Sequence, residues 1–173
     1  PVADADELAR LALSPGSEAL PKVLHHFGPA ILDDNGNLDR RKLGAIVFGR
    51  PAELQFLESQ IHPFVQSKAR EMRARFEAEG HPFAIYDVPL LFEKNLRSQF
   101  DRVVVVGCSE ETQLRRLAQR NGWSEEESLQ RIHSQFDLAE KMKQADAVIW
   151  NEGTLEQLGL QVNNLIQKLI TPS

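Results

Sequence analysis

Short apolar runs alternate with longer stretches of helical periodicity along this chain. The short runs have the length and the β-branched or aromatic content of buried strands, whereas the longer stretches carry charged faces. This alternation predicts an α/β fold built on a parallel sheet flanked by helices. The predicted strands cover residues 83–88, 102–107 and 147–150, with residues 1–4 as the end of another.

Capping residues mark the boundaries of several predicted helices. A Ser or Thr that is followed three positions later by Glu or Gln forms a capping box, and a Ser before an acidic turn also begins a helix. A Gly ends a helix without a Cβ penalty. These rules place helix starts at Ser109, at Ser124 with Glu127 and at Thr154 with Gln157, and helix ends at Gly28, Gly80 and Gly122.

Two helical insertions interrupt the predicted core. The first, residues 7–80, is expected to break at residues 14–16, 33–37 and 49–51 and at His62-Pro63, where the proline removes a backbone donor. Because ligands bind at the carboxyl ends of parallel strands, such an insertion usually forms a substrate-binding subdomain. The second, residues 115–136, turns at Asn121-Gly122 and is predicted to form a mobile lid. The α/β core keeps residues 1–6, 81–114 and 137–173.

Charge and composition narrow the classes of partner. The net charge of -5 argues against nucleic acid, so any phosphate must be recognised by local clusters of Arg and Lys. The single cysteine, Cys108, cannot form an internal disulfide, and no apolar run approaches the roughly 20 residues that span a bilayer. No charged and then apolar leader follows Pro1, so we expect no signal peptide there. We therefore expect a cytoplasmic protein, and the spacing of its histidines predicts no zinc site.

Asp4-Ala5-Asp6 lies where a strand gives way to a helix. Since alternate positions share a strand face, both carboxylates are expected to point one way, where they could accept a substrate proton or order Mg²⁺. The alternative is that Asp6 is a helix N-cap and Asp4 a solvated loop residue.

Asp87 ends the strand predicted at residues 83–88 and is followed by Val88 and Pro89. An acidic residue at the end of an apolar strand commonly holds Mg²⁺ or its water in P-loop enzymes. The alternative is a simple turn, which Pro89 imposes in either case.

The second insertion carries a cluster of arginines. Arg116 and Arg120 are four positions apart and share a helix face, and Arg131 and Gln135 repeat that spacing. Such a face could clamp phosphates through forked hydrogen bonds. The alternative is a solvated helix whose arginines pair with nearby glutamates.

A phosphate-binding loop is not found in this sequence. None of the ten glycines is followed by Lys, which the G-x-x-x-x-G-K-[ST] motif requires. The sequence therefore predicts no complete ATP site.

Six segments, taken in order, resemble successive signatures of the dephospho-coenzyme A kinase family. They are residues 4–10, 38–43, 61–63, 87–93, 131–135 and 145–153, and together they span nearly the whole chain. The resemblance implies a P-loop kinase fold with a nucleotide-binding core, a coenzyme A-binding subdomain at residues 7–80 and a lid at residues 115–136. It also implies transfer of phosphate from Mg-ATP to the ribose 3′-hydroxyl of dephospho-coenzyme A, the last step of coenzyme A biosynthesis.

The same resemblance assigns roles to individual residues. Asp6 corresponds to the general base, and Arg131 to a catalytic lid residue. Asp87 would hold Mg²⁺. The acceptor site would be lined by Asp4, Arg10, His62, Pro89, Leu90 and Glu93, and the ATP site by Arg116, Arg120, Gln135, Asn151 and Gly153.

Relative to this family the phosphate loop and the strand before it are absent from residues 1–173. We expect the chain alone to be poorly stable and inactive, because that strand would lie between those predicted at residues 83–88 and 102–107. Two other functions stay open: another nucleoside or nucleotide kinase of the same fold, and a non-catalytic binding module that has lost its ATP site.

Overall fold

The computed structural model describes residues 1–170 of the chain, and side chains as far as residue 168. The last three residues of the predicted core segment 137–173 therefore lie outside the described residues. The chain forms two compact units, Pro1–Pro89 and a second that begins at Leu90. Each unit contains a pair of parallel strands together with helices, which confirms the predicted α/β class. The division into core, subdomain and lid stays a prediction.

The first unit contains one long helix and three short ones between its two strands. Its elements are β1 (Val2–Asp4), α1 (Ala5–Ala12), α2 (Ala19–Phe27), a 3-10 turn (Gly28–Ile31), α3 (Arg40–Val47), α4 (Pro51–Ala78) and β2 (Ile85–Asp87). Helix α4 contacts α1, α2 and α3. A buried apolar cluster lies among these helices and is formed by Leu13, Ala19, Val23, Ile31, Leu43, Val47 and Leu57.

The second unit places its strands on either side of three helices in the sequence. Its elements are a 3-10 turn (Arg97–Gln99), β3 (Val104–Gly107), α5 (Glu110–Asn121), α6 (Glu125–His133), α7 (Leu138–Gln144), β4 (Ala147–Trp150) and α8 (Leu155–Ile170). Helix α7 contacts β3, and α8 contacts β4. Within the described part of the chain, every helix is too short or too polar to span a lipid bilayer.

The four strands form two parallel pairs, β1 with β2 and β3 with β4. Among the described residues, β2 and β3 are therefore each hydrogen-bonded to a single strand. Several apolar strand side chains remain exposed, notably Val106 at 58% and Trp150 at 41%. Parallel strands are usually covered on both faces. The expected low stability of the chain alone stays a prediction.

Most of the predicted helix boundaries are confirmed. Ser109 caps α5 through a bond from the N–H of Thr112, and the capping box of Ser124 and Glu127 begins α6. Thr154 and Gln157 exchange reciprocal hydrogen bonds at the start of α8. Gly122 adopts the left-handed conformation at the end of α5, as Gly can without a Cβ penalty.

The predicted break at His62-Pro63 is wrong. Helix α4 runs without interruption from Pro51 to Ala78, a length of 28 residues, with Pro63 inside it. A proline costs a helix one backbone hydrogen bond and crowds the preceding turn, at about 3 kcal/mol. Packing on both sides of Pro63 offsets that cost, because Leu57 and Ile61 pack in the apolar cluster and Phe76 is buried near the other end.

Candidate functional site

Two predicted site carboxylates lie side by side in the first unit. In the parallel register of β1 and β2, Asp4 is the partner of Asp87, and both strands end at these residues. Side chains at matched positions of parallel strands point to the same face. The carboxyl end of this strand pair therefore carries two acidic groups. Beside them in the sheet, burial and the nearby Asp4 charge raise the pKa of Tyr86.

Asp4 and Asp6 do not share a strand face, contrary to the prediction. The strand ends at Asp4, and Asp6 is the second residue of α1. The Asp4 carboxylate accepts hydrogen bonds from the backbone N–H groups of Asp6 and Glu7, at 2.8 and 3.0 Å. It thereby satisfies donors that the first helical turn leaves unpaired, and the helix starts at Ala5, two residues earlier than a strand reaching Asp6 would allow. The helix N-cap is Asp4, and Asp6 is not.

The Asp6 carboxylate is exposed in the first turn of α1, where a negative charge is favourable. Among the described residues the Asp6 carboxylate forms no hydrogen bond and no ion pair.

Arg10, a predicted acceptor-site residue, is four positions further along the same helix and is exposed too. Its carbonyl oxygen accepts a hydrogen bond from the Arg40 guanidinium at 2.7 Å. His62 is an exposed residue of α4.

The residues after β2 form a series of tight turns. Lys94 donates its backbone N–H to the Leu90 carbonyl, and Leu96 donates to Leu91. Asn95 has a positive φ of 54°, a conformation that Asn tolerates better than most residues. Leu90 and Glu93 of the predicted acceptor site therefore belong to one compact turn, which we call the acceptor turn, Leu90–Leu96.

Glu93 forms an ion pair that is largely buried. Its Oε1 accepts hydrogen bonds from Lys141 Nζ at 2.6 Å and from the backbone N–H of Phe136 at 2.8 Å. Burial acts to raise the pKa of Glu93, but these two donors outweigh it and hold the pKa below its ordinary value. Lys141 Nζ also donates to Gln135 Oε1 at 3.3 Å. Glu93 and Gln135, predicted for different substrates, are thus joined by a lysine.

The predicted lid consists of the last two turns of α5, the turn at Asn121-Gly122, and α6. The Arg131 guanidinium lies 4.1 Å from the centre of the Trp123 ring, a cation–π contact. Arg120 donates to the side chain of its neighbour Asn121 at 3.0 Å. The two arginines are therefore oriented within the lid by its own residues.

A third set of predicted residues lies where β4 ends. The loop Asn151–Gly153 is tied to the start of α5, because Glu152 accepts hydrogen bonds from the backbone N–H of Ser109 and from the Thr112 hydroxyl. Arg116 donates to Asn151 Oδ1 at 3.3 Å. Two residues predicted for the ATP site, Arg116 and Asn151, thus contact each other directly, and the loop that contains Asn151 is anchored by Glu152.

Gly153 leaves room for the side chain of Gln157. A Cβ at this position would lie 1.8 Å from Gln157 Oε1, the atom that caps the N–H of Thr154. The glycine lets the loop and the cap of α8 occupy adjacent space.

Sequence reasoning missed three residues of this region: Trp123, Lys141 and Glu152. Lys141 falls six positions after Gln135, and Glu152 lies inside the segment 145–153 used for the resemblance. Both residues could therefore have been singled out from the family motifs. Nothing local marks their partners, since Glu152 and Thr112 are 40 positions apart. Among residues 1–170, no three His, Cys, Asp or Glu side chains cluster as a metal site would require.

Comparison with known proteins identifies the family. A family model described as dephospho-CoA kinase matches residues 1–157. A dephospho-CoA kinase of Geobacillus kaustophilus is 45% identical over 168 residues, covering 97% of this chain and 84% of the relative. That of Bdellovibrio bacteriovorus is 45% identical over 169 residues, covering 98% and 84%.

Solved structures agree with these sequence matches. The crystal structure of TT1252 from Thermus thermophilus is similar with a TM-score of 0.81 and 34% identity, covering 98% of this chain and 84% of that one. A dephospho-CoA kinase from Campylobacter jejuni is similar with a TM-score of 0.68 and 29% identity, covering 97% and 84%.

Proposed function

This chain belongs to the dephospho-CoA kinase family, and we propose that Asp6 is its general base, which takes the proton from the ribose 3′-hydroxyl of dephospho-coenzyme A. The enzymes of this family phosphorylate that hydroxyl with ATP to give coenzyme A. The reaction joins the hydroxyl oxygen to the γ-phosphorus of ATP, releases ADP, and leaves the hydroxyl proton with the base.

The environment of Asp6 is the observation that carries this proposal. A general base must be free to accept a proton and must lie within reach of a substrate hydroxyl. The Asp4 carboxylate is already committed to two backbone N–H groups, whereas the Asp6 carboxylate is exposed and has no partner among the described residues. Asp6 also lies two positions after the end of β1, whose partner β2 ends at Asp87, and the carboxyl ends of parallel strands are the usual ligand-binding edge of a sheet.

The acidic pair at the strand ends fits a magnesium ion. Mg²⁺ is commonly held by one or two carboxylates together with waters and substrate phosphates, so a site without a third acidic ligand is compatible with it. Asp87 would hold the ion in this chain, with Asp4 as its neighbour in the strand pair. When bound, Mg²⁺ neutralises charge on the phosphates of ATP.

The remaining residues bind and orient the substrates in this proposal. Arg116, Arg120 and Arg131 hold the phosphates of ATP, with Arg131 meeting the transferred group, and the loop from Asn151 to Gly153 borders the adenine. The acceptor site is lined by Asp4, Arg10, His62, Pro89, Leu90 and Glu93. Gln135 also belongs to the ATP site.

Residues 1–173 contain no Gly-Lys pair to hold the β- and γ-phosphates. We therefore expect the chain alone neither to hydrolyse ATP nor to phosphorylate dephospho-coenzyme A. Tests of transfer use an enzyme in which this chain is joined to a phosphate loop, which we call the loop-bearing enzyme.

The test of function compares acceptors. The loop-bearing enzyme is given ATP and either dephospho-coenzyme A, adenosine or AMP, and the products are identified by phosphorus NMR and mass. We expect a 3′-phosphate on dephospho-coenzyme A at a kcat/KM far above that for the other two acceptors. Preference for adenosine or AMP would indicate another kinase of the same fold. Binding of dephospho-coenzyme A without any product would indicate a binding module.

A further inference from the structure

The acceptor turn and the end of the lid meet at Glu93. The Oε1 atom of this residue binds two groups at once, the backbone N–H of Phe136 and the ammonium of Lys141. Phe136 is the last residue of the lid segment 115–136, and Lys141 lies on α7. One carboxylate oxygen therefore connects three parts of the second unit.

Burial makes the ion pair of Glu93 and Lys141 costly to separate. The side chains of Glu93 and Lys141 are only 18% and 11% exposed, whereas the ion pairs of Lys68 and Lys143 are largely open to solvent. Glu93 Oε2 is also buried and accepts no hydrogen bond among the described residues. Because a buried charge is costly to leave unpaired, neither partner can move away from the other without a large penalty.

The lysine extends the connection to the lid side chains. Its Nζ donates to Gln135 Oε1, so the last two residues of the lid segment, Gln135 and Phe136, are both held by the pair. On the other side, the backbone bonds from Lys94 to Leu90 and from Leu96 to Leu91 make the acceptor turn one compact body. A displacement at Leu90 is therefore expected to reach Glu93 and, through it, the end of the lid segment at Gln135 and Phe136.

We propose that Lys141 is a positioning residue that couples occupancy of the acceptor turn to the position of the lid, through its buried pair with Glu93. The inference rests on the proposed function, since it takes the acceptor turn as the binding site for dephospho-coenzyme A. Lys141 touches neither substrate. Lys141 fixes the position of Arg131 when the acceptor is bound. Loss of the Lys141 ammonium therefore misplaces Arg131 but leaves the substrate contacts in place.

Kinetics of the loop-bearing enzyme test the positioning role. Lys141→Met is expected to lower kcat by about 10- to 100-fold, the scale of a small misplacement of a catalytic group, with little change in KM for either substrate. Lys143→Met is the matched control, because Lys143 lies on the same helix but forms only an exposed pair with Glu140. The control should keep its turnover. An equal loss in both variants, or a change of KM alone, would contradict the proposal.

A lid reporter tests the coupling without any phosphate transfer. Trp123 lies in the lid segment directly before Ser124, the N-cap of α6, and Trp150→Phe leaves it as the only tryptophan of residues 1–173. In this background, dephospho-coenzyme A should change Trp123 fluorescence, and Lys141→Met should remove most of that change while calorimetry still detects binding. A parent that binds but gives no fluorescence change, or a Lys141→Met response of full size, would overturn the coupling. A parent that does not bind would overturn the proposed function on which it rests.

A double variant separates positioning from folding. Lys141→Met alone leaves the Glu93 charge buried and unpaired, so its melting temperature should fall, whereas Glu93→Gln with Lys141→Met removes that charge and should restore much of the loss. The amide oxygen that Glu93→Gln introduces can still accept the Phe136 N–H, so the turn keeps its backbone anchor. We expect kcat and the Trp123 response to stay low in the double variant. Recovery of both together with the melting temperature would make the pair structural and overturn the proposal.

Discussion

Glu152 Oε2 accepts a hydrogen bond from the Thr112 hydroxyl at 2.7 Å, across 40 positions of the chain. Together with the bond from Ser109, it fastens the loop after β4 to the first turn of α5. Hydrogen bonds from Ser109, and then from Thr112, lower the pKa of Glu152 to about 2, from an ordinary value of 4.5. The folded chain thus stabilises the ionised form of the Glu152 carboxyl group.

Glu152→Gln should therefore remove a pH-dependent part of the stability. Because the folded pKa lies below the unfolded one, the carboxylate stabilises the fold fully above about pH 4.5, and this contribution is lost as the pH falls towards 2. Urea denaturation at pH 7, 4 and 3 should show a gap between parent and variant that narrows with acid. A gap that stays constant over this range would contradict the assignment, and Glu156→Gln, in the first turn of α8, serves as the control.

Gly153→Ala and Gly159→Ala should change stability in opposite directions. At position 153 the new Cβ displaces Gln157 from the cap of α8, and a lost cap costs about 1 kcal/mol. At position 159 a Cβ meets nothing within 4 Å inside the same helix, where Ala is about 1 kcal/mol better than Gly. Urea denaturation of both variants measures the difference, and a stabilising Gly153→Ala would show that the cap is not needed.

Pro63→Ala should stabilise the first unit. The substitution restores a backbone donor inside α4 and removes the crowding of the preceding turn, which we expect to contribute about 1–3 kcal/mol. Pro51→Ala is the control, because Pro51 lies in the first turn of the same helix, where no N–H bond is lost. Thermal melts of the two variants decide the matter. A lower melting temperature for Pro63→Ala would mean that the proline is adapted to its site.

Arg131→Ala should lower the turnover of the loop-bearing enzyme more than it weakens ATP binding. An arginine that meets the transferring phosphoryl group acts mainly in the transition state. Trp123→Leu keeps the guanidinium and removes only its aromatic support, so a smaller loss of kcat is expected. If Arg131→Ala raised only KM for ATP, the residue would be a ground-state clamp, and Arg116 and Arg120 would be the better candidates.

The features that the sequence predicted well are local ones. The cap of Ser124 by Glu127, the left-handed Gly122 and the run of β-branched residues before Cys108 each depend on neighbours within a few positions. Such signals are complete in a short window of sequence, and the family resemblance joined them in the right order.

The features that escaped prediction depend on distant packing. Pro63 breaks a helix by every local rule, yet α4 continues because residues from three other helices pack against it. Asp4 rather than Asp6 caps α1, because its carboxylate lies nearer the free N–H groups, a difference of two positions that local preference does not resolve. The Glu93–Lys141 pair joins residues 48 positions apart (141 minus 93), and nothing near either residue marks its partner.

The transfer reaction of an Asp6→Asn variant tests the central claim most directly. Asn keeps the size of the side chain but cannot take the substrate proton, and a positioned base contributes about 10²- to 10⁴-fold to the rate. Glu7→Gln, the next residue of the same exposed turn, is the matched control. The measurement is the rate of 3′-phosphorylation of dephospho-coenzyme A by the loop-bearing enzyme, together with acceptor affinity from calorimetry. We predict a rate lowered by that factor with affinity nearly unchanged; turnover close to that of the parent would contradict the account.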